Sequence, residues 1–210
     1  MGKGFFTIGI IKMTAPRLGT IESVNWRPHQ RQFVRRSSIP LKRDCLWQIE
    51  SGVVRTMTCL EDGNVATLGL WGTGDIISSS FFRGGDYQIE CLSSVDATLY
   101  PLNDYPQLNE ALINYIKQLQ EYVGILHCRS LDVALLKLLN WLAKKFGRQV
   151  EQGQLIDLRL THQEIAEILG TTRVTVTRLL NEFEQRGAIK RLPRQFIVLQ
   201  EQQPFWYYEI

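Results

Sequence analysis

The side chains with the clearest chemical purpose share one stretch, Leu160 to Leu180, which reads LTHQEIAEILGTTRVTVTRLL. Arg173 and Arg178 carry guanidinium groups, whose paired N–H donors match the O6/N7 edge of a guanine. Five residues apart on a helix, they project roughly 140° apart, within reach of one groove. Thr161, His162, Gln163, Thr172 and Thr175 sit where hydroxyls, amides and helix-start N–H groups hold phosphate oxygens. Lys190, Arg191 and Arg194 add the positive charge that a phosphate backbone attracts. The chemistry on offer is recognition of double-stranded DNA.

These groups need a scaffold, and its signals are local. Thr161 followed by Glu164 is a capping box that opens a short helix with Ile165, Ile168 and Leu169 on its apolar face. Gly170 ends that helix, because glycine accepts a left-handed backbone at little cost. Thr172 caps a second helix with Val176, Leu179, Leu180 and Phe183 on its buried face. Residues 189–191 and 195–199, joined by Leu192-Pro193-Arg194, read as a β-hairpin wing. A winged helix-turn-helix presents the start of its second helix to the major groove. The same pattern, without DNA, reads as a helical hairpin with solvated arginines.

Upstream, residues 45–102 look all-β. Short runs rich in β-branched and aromatic residues (45–49, 53–59, 65–71, 87–92 and 97–102) alternate with Gly-containing turns, as in a small barrel or roll. The period then changes. Leu112, Ile116, Leu119, Val123 and Leu126 step by four and three, a heptad seam expected to pair with its mate in a homodimer, or else to pack on its own barrel. Ser130 can cap a further helix whose apolar face is Leu131, Leu135, Leu138, Leu139 and Leu142 and which ends near Lys144-Lys145-Phe146-Gly147. Residues 148–154 read as a turn or linker and 155–158 as a short strand. Residues 1–44 hold nine Lys or Arg against Glu22 and Asp44, and read as a partly irregular basic arm leading into strands. The expected fold is α+β, with an arm and β-roll over 1–104, a dimerisation helix over 105–129 and the DNA-binding domain over 130–210.

Composition narrows the alternatives. A net charge of +3 with 44% hydrophobic residues suits a folded, mildly basic chain. No apolar run reaches the length of a membrane span. The patch from Phe5 to Ile11 is too short for a signal peptide and lacks a cleavage site, so a cytoplasmic location is expected. Cys45, Cys59, Cys91 and Cys128 are not at metal-ligand spacing and read as free thiols. No paired carboxylates, nucleophile elbow or phosphate-binding glycine loop appears, and Gly72-x-Gly74 is a turn with no helix after it. Catalysis, a metal and a cofactor are therefore not expected. The aromatic tail Pro204-Phe205-Trp206-Tyr207-Tyr208 leaves a protein-interaction scaffold as a competing reading.

The order of roll, long helix, second helix and winged helix-turn-helix resembles the CRP/FNR family of transcription regulators. The likeness covers roughly residues 40–200 in architecture and is specific in sequence over about 160–191. Ser51-Gly52-Val53-Val54-Arg55 and Gly74-Asp75-Ile76-Ile77 resemble turns of the family's cyclic-nucleotide-type roll. The stretch from Thr171 to Leu180 is most similar to the family's NtcA branch, the cyanobacterial nitrogen-control regulators. That resemblance implies base reading by Arg173, Val174 and Arg178 at a palindromic GTA…TAC site, with RNA polymerase as a partner. Members that respond to cAMP carry an acid where Val174 stands, and an acid accepts from a cytosine amino group whereas valine does not. The roll also departs from them: Ile76–Ser80 has no Glu for the ribose, and Asp86-Tyr87-Gln88 stands where an Arg pair would take the phosphate. No N-terminal cysteine cluster is present for an iron–sulfur centre, and His29, His127 and His162 are scattered. Two effector readings remain. Arg83 with Gly84-Gly85, or Arg129, could hold an anionic metabolite such as 2-oxoglutarate; otherwise the pocket is degenerate and takes no ligand.

Overall fold

The computed structural model describes residues 29–82, 86–193 and 195–199. Eight strands build the N-terminal body: β1 (His29–Phe33), β2 (Ser38–Ile39), β3 (Cys45–Ser51), β4 (Val54–Cys59), β5 (Val65–Trp71), β6 (Ile76–Ser78), β7 (Tyr87–Cys91) and β8 (Val95–Pro101). They form two antiparallel four-stranded sheets, ordered β1-β8-β3-β6 and β2-β7-β4-β5. Trp47, Ile49, Val54, Trp71, Ile77, Ile89 and Leu99 fill the space between them. In β3 the buried Trp47 and Ile49 alternate with Gln48 and Glu50, and in β7 the buried Ile89 and Cys91 alternate with Gln88 and Glu90, so a one-residue slip of either strand would turn its inward set outward.

Helix α1 (Leu108–Leu126) leaves the roll and α2 (Leu131–Phe146) follows after a short break. The hairpin β9 (Gly147–Val150) and β10 (Gly153–Ile156) comes next, then α3 (His162–Leu169), α4 (Arg173–Gln185), β11 (Ile189–Leu192) and β12 (Gln195–Leu199). The last four strands make a sheet in the order β11-β12-β10-β9. A second core joins Leu135, Leu138, Leu139 and Leu142 of α2 to residues of α3, α4 and the wing, and it also takes in Val53, Leu70 and Leu92 of the roll. The C-terminal part is thus docked on the roll through shared apolar packing.

One expectation needs correction. Residues 148–154 are no linker: β9 and β10 pair with each other, and β10 pairs with β12. The polar side chains misled, because sheet pairing is satisfied by the backbone and an outward face tolerates polar residues. Gly153 is required there, since a Cβ at its position would lie 2.1 Å from the Val198 carbonyl oxygen. The basic arm does lead into strands, and the first two lie within it, with β1 paired along β8 and β2 along β7. Residues 1–28 of that arm, Arg83-Gly84-Gly85, Arg194 and the aromatic tail lie outside the described residues. Among the described residues no helix is long and apolar enough to cross a membrane.

Candidate nucleic-acid interface

The helix-turn-helix is assembled by its own caps. Thr161 Oγ1 accepts from the Glu164 N–H at 3.1 Å, and Glu164 Oε2 accepts from the Thr161 N–H at 2.7 Å, which completes the capping box. Gly170 ends α3 with φ of 65°, in the left-handed region. Thr172 Oγ1 accepts from the Thr175 N–H at 3.2 Å and starts α4. Val176, Leu179, Leu180 and Phe183 then bury one face of α4, which turns the opposite face outward.

That outward face carries the expected readers. Arg173, Val174 and Arg178 are all exposed, and Val174 is 79% exposed. An apolar side chain this exposed buries little area within the fold, which leaves it open to an intermolecular contact. Arg178 forms an ion pair with Glu182 one turn on. The Thr177 hydroxyl donates to the Arg173 carbonyl oxygen at 2.9 Å, while its oxygen lies 2.8 Å from His162 Nδ1. His162 therefore ties the first turn of α3 to α4. Burial, and then the cations of Arg191 and Arg173, lower its pKa below the usual imidazole value.

The flanking polar groups are already engaged. Gln163 Nε2 donates to Glu167 Oε1 at 3.0 Å, and the Thr172 and Thr175 hydroxyls meet at 2.9 Å. Lys190 Nζ donates to Gln152 Oε1 at 3.0 Å. Arg191 Nε donates to Glu184 Oε2 at 2.7 Å, and the Arg191 hydrogen bonds hold the Glu184 carboxyl below its ordinary pKa.

Helix α1 has two apolar faces. Tyr122 and Ile125 are buried, and Tyr115 and Leu119 pack on the roll core. Ile116, Val123 and Leu126 are 54%, 48% and 39% exposed, and so is Ile113 at 53%. Leu112 is half-buried. The heptad reading thus spans two environments: it includes Leu119, which packs on its own roll, and omits Ile113, which a helical wheel of α1 would have added to the open stripe.

A cleft of about 330 Å³ lies between α1 and the β5–β6 turn, lined among others by Trp71, Asp75, Asn114, Tyr115, Gln118 and Glu121. The Trp71 and Tyr115 rings stack with centroids 4.1 Å apart, and burial pushes the Tyr115 phenol up to about 12. Lys145 of α2 pairs with Asp75 at 2.9 Å. Its pKa is lowered, first by burial, with Asp75 opposing the shift. Arg129 is exposed and does not line this cleft.

Sequence reasoning missed the junction between the roll and α3. Arg55 on β4 is only 6% exposed. It is held by Glu90 of β7 and by Glu167 of α3, each at 2.6 Å. Arg35 binds Glu164 at 2.9 Å. The Tyr122 hydroxyl lies 2.8 Å from the Ile168 carbonyl oxygen and 3.1 Å from that of Thr67. The partners are up to 129 residues apart, beyond any spacing rule.

Comparison with known proteins agrees with this geometry. A family model described as a Crp-like helix-turn-helix domain matches residues 134–203. The regulatory protein CysR of Synechococcus elongatus is 38% identical over 174 residues, covering 81% of this chain and 84% of that protein. The chain belongs to the CRP/FNR family of transcription regulators. The global nitrogen regulator of Synechocystis sp. is 30% identical over 145 residues, covering 67% of this chain and 64% of that protein. Among solved structures, a CRP-family transcriptional regulator from Thermus thermophilus superposes with a TM-score of 0.70 at 22% identity, over 81% of this chain and 92% of that one. As a CRP/FNR regulator the chain is a DNA-binding protein with an α+β fold and is not an enzyme.

Proposed function

We propose that this CRP/FNR protein acts as a homodimer that reads a palindromic GTA…TAC-like site in the major groove, one α4 per half-site. The observation that carries the reading is the uncovered first two turns of α4, where Arg173, Val174 and Arg178 face solvent on a helix whose other face is buried. Arg173 and Arg178 take guanine edges and Val174 rejects the cytosine amino group that an acid would accept. Thr161, His162, Gln163, Thr172, Thr175, Lys190, Arg191 and Arg194 supply phosphate contacts that set the register. The open stripe of Ile113, Ile116, Val123 and Leu126 pairs with its mate, assisted by Leu112, and holds two reading helices about 34 Å apart, one turn of DNA. Residues 1–104, 105–129 and 130–210 serve as arm and roll, dimer helix and reader, with RNA polymerase a further partner. Selection from random DNA tests this: a GTA…TAC core with a steep salt dependence is expected, and a TGTGA-like core refutes the readout.

The roll acts without a small-molecule effector. Stacking of Trp71 on Tyr115 and the internal pairing of Asp75 with Lys145 support this, since both occupy groups that a ligand between roll and helix would need. Saturable heat on titration with 2-oxoglutarate or cAMP would overturn it.

A further inference from the structure

Tyr122 touches no residue proposed to bind DNA or the partner chain, and Glu167 meets the proposed DNA face only through Gln163, yet the two connect the reader to the roll. Arg55 is nearly fully buried. A buried cation is costly unless paired, and its two carboxylates come from two bodies, Glu90 of the roll and Glu167 of α3. The same Glu167 accepts from Gln163, so a chain of polar contacts runs from the start of α3 into the roll. Tyr122 of α1 reaches the end of α3 at Ile168. A second tether acts on a different helix, where Lys145 of α2 pairs with Asp75 and Phe146 lies against Gly72. Arg35 of the roll holds α3 as well, through Glu164 and the Arg159 carbonyl oxygen. Attachment to one helix alone would let the reader swivel about the α1–α2 break; attachments on two separate helices fix its rotation. The docking leaves Arg173, Val174 and Arg178 open, so it does not mask the reading face.

We infer that Glu167 and Tyr122 are positioning residues for DNA reading: by locking α3 to Arg55 and Thr67 they fix the angle between the two recognition helices and so set which half-site spacing is accepted. This rests on the dimeric DNA reading proposed above. The physical consequence is geometric. One extra base pair turns the second half-site by about 34° and moves it about 3.4 Å. A locked reader cannot follow that displacement, and a released one can.

The test measures binding of the full chain to a GTA…TAC operator and to versions with the central spacer one base pair longer or shorter. Wild type is expected to lose about tenfold or more on each altered spacer, the scale of one lost base-pair readout. In Arg35→Gln/Glu167→Gln/Tyr122→Phe, which also removes the Arg35–Glu164 pair, that loss should shrink to about threefold or less, with cooperative thermal melting and single half-site binding retained. Arg55 keeps Glu90 in this variant, so no buried cation is left alone. Glu167→Gln alone serves as a milder arm and should give an intermediate loss. A wild-type chain that binds none of the operators overturns the DNA reading and the inference together. Wild type that binds without spacing preference, variants that keep the full preference, or variants that bind every operator more tightly overturn the inference alone; the last outcome would make the junction a restraint on binding.

Discussion

Replacing Val174 by Glu tests base readout with little disturbance of the fold. Val174 is 79% exposed, and surface changes of this kind cost within about 0.5 kcal/mol. The first turn of α4 holds no acid, so a carboxylate there gains about 0.3–1 kcal/mol from the helix dipole. The free variant should therefore melt at or slightly above the wild-type temperature. On DNA the balance reverses. A glutamate facing anything but a cytosine amino group is desolvated without a donor, at about 1–3 kcal/mol; facing cytosine, it gains discrimination of about the same size. Each half-site should change preference by roughly 5- to 150-fold, and a palindrome applies the factor twice. Random-site selection with sequencing of bound DNA would read this as cytosine enriched at one position per half-site. An unchanged motif with uniformly weaker binding would refute the argument, because it would place residue 174 away from the base edges.

Arg173→Ala should cost about 1–3 kcal/mol and relax specificity at one base pair, whereas Lys190→Ala should weaken all sequences alike and reduce the salt slope by about 1 per half-site; equal, sequence-blind losses would count against Arg173 as a reader. His162 has a lowered pKa in the free chain, and a phosphate beside it would raise that pKa, so binding takes up a proton and affinity should rise as pH falls from about 7 toward 5.5, at most tenfold per unit per half-site. His162→Gln should flatten that slope, and a wild-type affinity independent of pH would remove His162 from the phosphate contacts. Ile116→Glu with Val123→Glu alters two exposed residues and should leave the protomer folded while sedimentation shifts to the 24.2 kDa monomer; a persistent dimer would move the interface off this face.

The helix-turn-helix was legible because its determinants are local. Thr161 with Glu164, Gly170, and Thr172 each act within a turn or two of their own position, and the apolar spacing of α4 assigns its faces directly. The roll strands were legible from β-branched runs between glycine turns. What escaped depends on distant partners. β9 and β10 are polar, and their strand character comes from pairing that extends to β12. The two apolar faces of α1 overlap in one periodicity, so spacing alone could not separate Leu119, which packs on the roll, from Ile113, which does not. Arg55 looked like an ordinary basic residue after a Gly turn, since its value comes from carboxylates 35 and 112 positions away.

The reading face is already paired with itself, and this bears on how it would discriminate. Arg178 holds Glu182, Arg191 holds Glu184, Lys190 holds Gln152 and His162 holds Thr177. Arg178 is 61% exposed in its pair, and pairs this open are worth about 0.2–1 kcal/mol each. Exchanging such partners for phosphates or bases therefore costs little, and counterion release from the DNA can drive it. The pairs still restrict the side chains beforehand, which lowers the ordering cost of binding. In the proposed docking they would also leave Glu182 and Glu184 beside the groove, where misplaced phosphates would be repelled. On this account affinity comes mainly from the cations and the register from the acids next to them, so neutralising Glu182 should tighten binding to all DNA more than it tightens binding to the preferred site.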